Sequence, residues 1–276
     1  MQEESSLRHR DPPKATRALR TSSMACDFSS RSSLRLLTRL LTEGVGRTPY
    51  ISIAAGGTVL RSENVVQAWP AALLAFALLA NFASPVLAYA ALLAYSGAGI
   101  VALRPPLRRL RAGDLAVVAS SAALSALLTA RFALTEHHPS PPSMLFVAVA
   151  GVVEEMFFRG ILLEREGVLM QAFYFALAHL ALRDPISLVL SALLAPHYLL
   201  LGMTLGATAS KRGFHLSAVF HVLYNVLSTQ HMLAASPVTL AAVVAADAVA
   251  LLLVLVYFYS YPNRKPHKRI LPGNCL

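Results

Sequence analysis

From Val65 to Leu103 the chain carries no charged side chain, a run of 39 residues. One helix needs about 20 apolar residues to cross a bilayer, so this run must hold two spans or one long, tilted one. Further long apolar stretches follow, and none alternates apolar and polar residues as the strands of a membrane barrel do. Charged residues make up only 14% of the chain and hydrophobic ones 56%, whereas a soluble domain carries roughly 25% charge. The expected fold class is therefore all-α, a polytopic membrane helix bundle.

Eight transmembrane helices fit, near residues 66–81, 85–103, 115–134, 144–163, 168–182, 186–209, 215–230 and 237–260. The connecting loops test this number. The cationic segments Arg104–Arg111, Lys211–Arg212 and Arg264–Arg269 then share one side with the basic N-terminal arm. The opposite loops are nearly free of Lys and Arg, and dropping one span would scatter the charge. Cytoplasmic loops carry the excess of Lys and Arg, so both termini are expected in the cytoplasm. The net charge of +10 reads as topology, with the lipid bilayer as a partner and no nucleic acid. The expected membrane is a plasma or endoplasmic-reticulum-type membrane.

The expected organisation is a basic Arg/Ser-rich arm over residues 1–64, a membrane domain over 65–262 and a basic tail over 263–276. Within the arm, residues 30–41 put Leu34, Leu37 and Leu41 on one helical face and Arg31, Arg35 and Arg39 on another. This pattern suits a helix lying in the membrane surface, or an ordinary surface helix. Glu3, Glu4, Asp11 and Asp27 argue against a transit peptide. Met24 offers a second start, which leaves residues 1–23 open as part of the protein. Cys26 and Cys275 form no ligand cluster, and Cys275, next to last, is not placed for prenylation.

Glu154, Glu155 and Arg159 lie inside the fourth apolar span. An ionisable residue at bilayer depth costs at least ~2.5–3.5 kcal/mol and marks a functional site by default. Two further patterns also lie inside spans: Phe175-x-x-x-His179 and His221-x-x-x-Asn225. At about 1.5 Å rise per residue, Glu154, His179, His221 and Asn225 all fall roughly 10–18 Å from the basic side. One shared polar site, open toward the cytoplasm, is the simplest expectation. Glu155 and Arg159 stand at i, i+4 and can pair, while Glu154 is rotated about 100° away and is free to face the histidines. Glu154 is thus the expected base, with Glu155 and Arg159 in support. A carboxylate and a histidine can activate water, and a second histidine with an amide can donate to an oxyanion. The chemistry implied is hydrolysis of an amide or peptide bond.

Taken together, EExxxR, FxxxH and HxxxN resemble the CAAX protease and bacteriocin-processing family of intramembrane proteases, the Rce1-like group. All three motifs stand here without substitution, in the family's order, over about residues 144–230. The resemblance implies an eight-helix endopeptidase in which Glu154 and His179 activate water while His221 and Asn225 stabilise the oxyanion. It implies a membrane-anchored peptide or protein substrate, prenylated or not. No cofactor is required by this reading. Zinc stays open, with Glu154, His179 and His221 as its His₂Glu ligands.

Blander readings stand beside these. The two glutamates and Arg159 would also make a structural ion network, and Phe175 a packing residue. His197, after Pro196, reads as cavity-lining or kink-associated. Asp247 stands alone in its span with no assigned role, and Arg131 is expected to snorkel. His137 and His138 read as a solvated loop rather than a metal site. Other functions of different classes are a non-catalytic immunity or binding scaffold and a proton-coupled transporter. The transporter predicts broken helices in matching halves, and only Pro196 interrupts a span.

Overall fold

A computed structural model describes residues 66–260 apart from 106, 132, 137, 138, 234 and 235. The whole arm, residues 1–64 with the surface helix expected at 30–41, lies outside the described residues, as do the tail, His137 and His138. The described chain is helical: α1 (Trp69–Phe82), α2 (Pro85–Leu103), α3 (Ala112–Ala130), α4 (Pro141–Phe157), a π-helical segment (Phe158–Leu162), α5 (Leu163–Ala178), α6 (Pro185–Leu193), α7 (Ala195–Arg212), α8 (Phe214–Ser228) and α9 (Pro237–Ser260). This is the all-α class expected, with one short antiparallel ladder of β1 (Ala133–Glu136) and β2 (His231–Leu233) between loops. It joins the loops after α3 and α8, where the chain leaves its helices and the backbone groups need other partners.

Each apolar stretch marked as a span falls mainly on helix, although 115–134 runs into β1 and 168–182 past the end of α5. Pro85–Leu103 and Pro237–Ser260 are long and apolar enough to cross a membrane, and Pro185–Leu193 with Ala195–Arg212 would make a third as a pair. The span expected over 186–209 is broken within that pair, which bends by 49° between its two helices. Pro196 supplies the reason: its nitrogen has no hydrogen to give the preceding turn, and its ring crowds the carbonyl four residues back. At the other end of α6, Asp184 caps the helix by accepting the Ser187 N–H at 2.9 Å. This bond and the Ser187 hydroxyl hold the Asp184 carboxyl below its usual range.

Two local departures shape the middle of the bundle. The Phe158 N–H is shared between the carbonyls of Glu154 and Glu155, and from there the chain widens into the π segment that carries Arg159. Such widened turns recur at functional sites. At Gly167 the backbone adopts φ 75°, ψ 175°, a region open essentially to glycine alone. The chain breaks direction there, so the fifth span proper begins at Val168.

The interior is built on large fully buried side chains, among them Leu92, Phe157, Phe158, Phe175, Leu205 and Phe220. Leu74, Val86, Leu145, Ile186 and Leu252 point outward and stay exposed, as a lipid-facing surface allows. Helix α7 approaches α5 through Gly202 and Gly206, a GxxxG pair of the kind that brings helix backbones close in membranes. A Cβ at Gly202 would lie 3.0 Å from the Ala172 Cα and 3.2 Å from the Phe175 ring. Gly202→Val is expected to destabilise the protein by roughly 1–3 kcal/mol through overpacking. Gly202→Ala should cost less, because it recovers up to ~1 kcal/mol of helix propensity. Thermal unfolding in detergent measures both.

Candidate active site

The site is assembled from α2, α4, the π segment, α5, α7 and α8. Glu155 is fully buried and is its most connected residue. Its Oε1 meets Arg159 Nη1 at 2.7 Å and His221 Nδ1 at 2.8 Å. Its Oε2 accepts the Ser217 hydroxyl. Arg159 continues across the bundle to the Gly202 carbonyl at 3.3 Å, and its guanidinium lies 4.5 Å from the centre of the Phe175 ring.

Glu154 points elsewhere, as one residue of helix rotation requires. Its Oε1 accepts the Tyr89 hydroxyl from α2. Its Oε2 has no hydrogen-bond partner among the described residues. That oxygen lies 3.8 Å from His179 Nε2 and 3.8 Å from His221 Nε2. The structure therefore brings Glu154, His179 and His221 together and pairs Glu155 with Arg159.

His179 follows directly on Ala178, at the end of α5 rather than inside a longer helix. Its Nδ1 is 2.8 Å from the Phe175 carbonyl. A carbonyl only accepts, so Nδ1 carries the hydrogen; in the neutral ring Nε2 then holds a lone pair, on the side of Glu154. The ring stacks on Tyr198 at 4.2 Å. Its side chain is 24% exposed against 2% for His221, so His179 meets the open space.

That space is a cleft of about 250 Å³ lined by His179, His197, Tyr198, His221, Tyr224 and Asn225, among others. Leu194, Ser228 and Thr229 carry the lining to the end of the bundle where β2 follows α8. Arg108, Lys211 and Arg212 lie at the other end. There Arg212 pairs with Asp114 at 2.9 Å, Arg108 donates to the Lys211 carbonyl at 2.8 Å, and His215 meets the Arg108 carbonyl at 2.8 Å. These bonds tie that end together.

Several residues of the site carried no sequence motif. Tyr89, Tyr198 and Gln171, which donates to the Gly202 carbonyl at 2.8 Å, stand among ordinary span residues. Ser217 had a signal, since Ser217, His221 and Asn225 recur every four residues on one face of α8. His197 lines the cleft, and Asp247 is not alone: the two meet at 2.5 Å. Arg131 is exposed at the end of α3.

The zinc set can be tested on spacing. In a tetrahedral site with ligands at about 2.1 Å, donor atoms sit roughly 3.4 Å apart. Glu154 Oε2 is 3.8 Å from each imidazole nitrogen, and no group of three or more His, Cys, Asp or Glu among the described residues is spaced to hold a metal ion. The arrangement does not fit zinc. It fits a water, which reaches both acceptors at ordinary hydrogen-bond length of about 2.8 Å.

Residues 136–227, about a third of the chain, match the family model Rce1-like, described as type II CAAX prenyl endopeptidase. The segment is Rce1-like. It contains all seven residues of the three motifs, so the resemblance read from them is shown over this stretch. The matched family is one of proteases, and the match and the apolar helices point to a membrane protein. No curated protein and no solved structure matches it.

Two measurements follow from the geometry. Arg159→Met strands Glu155 in the interior, and removing one partner of a buried pair costs roughly 3–5 kcal/mol. Thermal unfolding should show that loss, with partial recovery in Glu155→Gln/Arg159→Met. Separately, in a chain freed of Cys26 and Cys275, cysteines at Ser228 and at Arg109 should react with an impermeant maleimide from opposite sides of a sealed vesicle.

Proposed function

We infer that the protein is an intramembrane endopeptidase that hydrolyses a peptide bond of a membrane-anchored substrate, CAAX-type by its family match. The observation that carries the reading is the unpartnered Glu154 Oε2 facing two imidazole nitrogens at 3.8 Å. A carboxylate oxygen and the lone pair of neutral His179 are both acceptors. Neither can satisfy the other, but a water between them donates one hydrogen to each. Its own lone pairs then face the cleft.

The water oxygen bonds to the carbonyl carbon of the scissile peptide. Its proton goes to the Glu154–His179 pair, and the carbonyl oxygen takes the negative charge. His221 gives Nδ1–H to Glu155, so donation to that oxygen from Nε2 requires the doubly protonated ring. A proton there also brings Glu154, Glu155, Arg159 and His221 to zero net charge, which suits a buried cluster. The Asn225 amide is the second donor. Collapse of the intermediate breaks the C–N bond, and the stored proton passes to the leaving nitrogen. Tyr89 holds Glu154 by its other oxygen and so orients the base. Eight spans and cytoplasmic termini remain part of this proposal.

The test is cleavage of a lipidated or membrane-anchored peptide by purified protein. Glu154→Ala and His179→Ala should fold and lose essentially all cleavage. Folded variants that cut as fast as wild type would end the catalytic assignment and favour a scaffold. Asn225→Ala should lower kcat by about 10²–10³, the usual loss for one oxyanion donor. A chelator should leave the wild-type rate unchanged, because the spacing suits water rather than zinc.

A further inference from the structure

The loop between α2 and α3, residues 104–111, takes no part in the chemistry above. Its sequence is RPPLRRLR. Arg104, Arg108, Arg109 and Arg111 are exposed. Leu107 and Leu110 stand among them at 78% and 41% exposure. Lys211 and Arg212 add two more cations from the last turn of α7. Across residues 104–114 and 211–217 the one acid is Asp114, and it pairs with Arg212 at 2.9 Å.

The spans that end here set the depth of the loop. Helices α2 and α9 are long and apolar enough to cross a membrane, and α2 ends at Leu103, directly before the loop. The last turn of α9 meets the start of α3, where the Tyr257 hydroxyl donates to Asp114 at 3.3 Å. Lys211 Nζ lies 4.0 Å from the centre of the Tyr259 ring. Tyrosines gather at the headgroup level of a bilayer, and the loop shares that level. There an exposed leucine sinks among the acyl chains while the arginines beside it stay with the phosphates.

The backbone of the loop is fixed in advance. Arg108 donates to the Lys211 carbonyl at 2.8 Å, His215 Nε2 donates to the Arg108 carbonyl at 2.8 Å, and the Arg111 N–H reaches Asp114 at 3.3 Å. The guanidinium groups of Arg104 and Arg109 have no partner among the described residues. Each presents a planar fork of donors that matches a phosphate.

We propose that this loop is a binding site for anionic phospholipid headgroups, with Arg104 and Arg109 on the phosphate oxygens and Leu107 among the acyl chains. Clusters of Lys and Arg directly beside a span select such lipids. The site lies at the end of the bundle away from the cleft mouth and does not depend on the peptidase reading.

The test titrates the full chain in detergent with dioleoylphosphatidylglycerol or dioleoylphosphatidylcholine, which differ only in headgroup, and reads binding by microscale thermophoresis. Wild type should bind the phosphatidylglycerol at least tenfold more tightly, and high salt should remove most of that preference. Arg104→Gln/Arg109→Gln should bring the ratio to within threefold of one and leave thermal unfolding in lipid-free detergent unchanged. Leu107→Ser should weaken both lipids alike. Arg183→Gln, in the loop between α5 and α6, removes the same kind of charge elsewhere and should keep the wild-type ratio. A large excess of inorganic phosphate should not displace the lipid. A wild-type ratio near one, a ratio that survives the double substitution, or an equal loss in Arg183→Gln overturns the proposal. Displacement by inorganic phosphate, or full affinity in Leu107→Ser, overturns the lipid as the occupant.

Discussion

The carboxylate of Glu155 is the point on which the arrangement of the site depends. It is buried, and it joins Arg159 in the π segment to Ser217 and His221 on α8. Arg159 extends the link to α7 at Gly202. A charge taken out of water is tolerated only when its oxygens are filled and its sign is answered. Any shift of α8 against α4 would break that condition. The network thereby holds His221 in one orientation, with Nδ1 committed and Nε2 facing Glu154.

This fixed frame explains why two adjacent glutamates behave so differently. Glu155 has every oxygen engaged, whereas Glu154 has one held by Tyr89 and one left unpartnered at the cleft. The helix turns about 100° between them, which is enough to direct one into the Arg159 network and the other toward His179 and His221. Phe175 serves both halves. Its ring stacks under the guanidinium of Arg159, and its carbonyl sets the tautomer of His179. A residue that reads as packing is also an orienting one.

Small residues make this closeness feasible. Gly202 lets α7 approach α5 and presents its carbonyl to both Arg159 and Gln171. Gly167 turns the chain between the fourth and fifth spans. Neither position stands out by hydropathy, and both act through the backbone.

The sequence by itself determined the helical membrane class, since an uncharged run of 39 residues has few other homes. It also determined the three polar patterns, the pairing of Glu155 with Arg159 and the turning of Glu154 away from it, because helical periodicity is a local property. Only the tertiary structure decided what those groups meet. Tyr89, Ser217 and the His197–Asp247 pair lie far from their partners in the chain, and no spacing rule links such residues. The end at which the cleft opens was also beyond the sequence. Loop charge reports where basic residues lie, while an opening depends on which helix ends are tied together. Here the bonds among Arg108, Asp114, Lys211, Arg212 and His215 tie the basic end, and the lining of the cleft runs to the other.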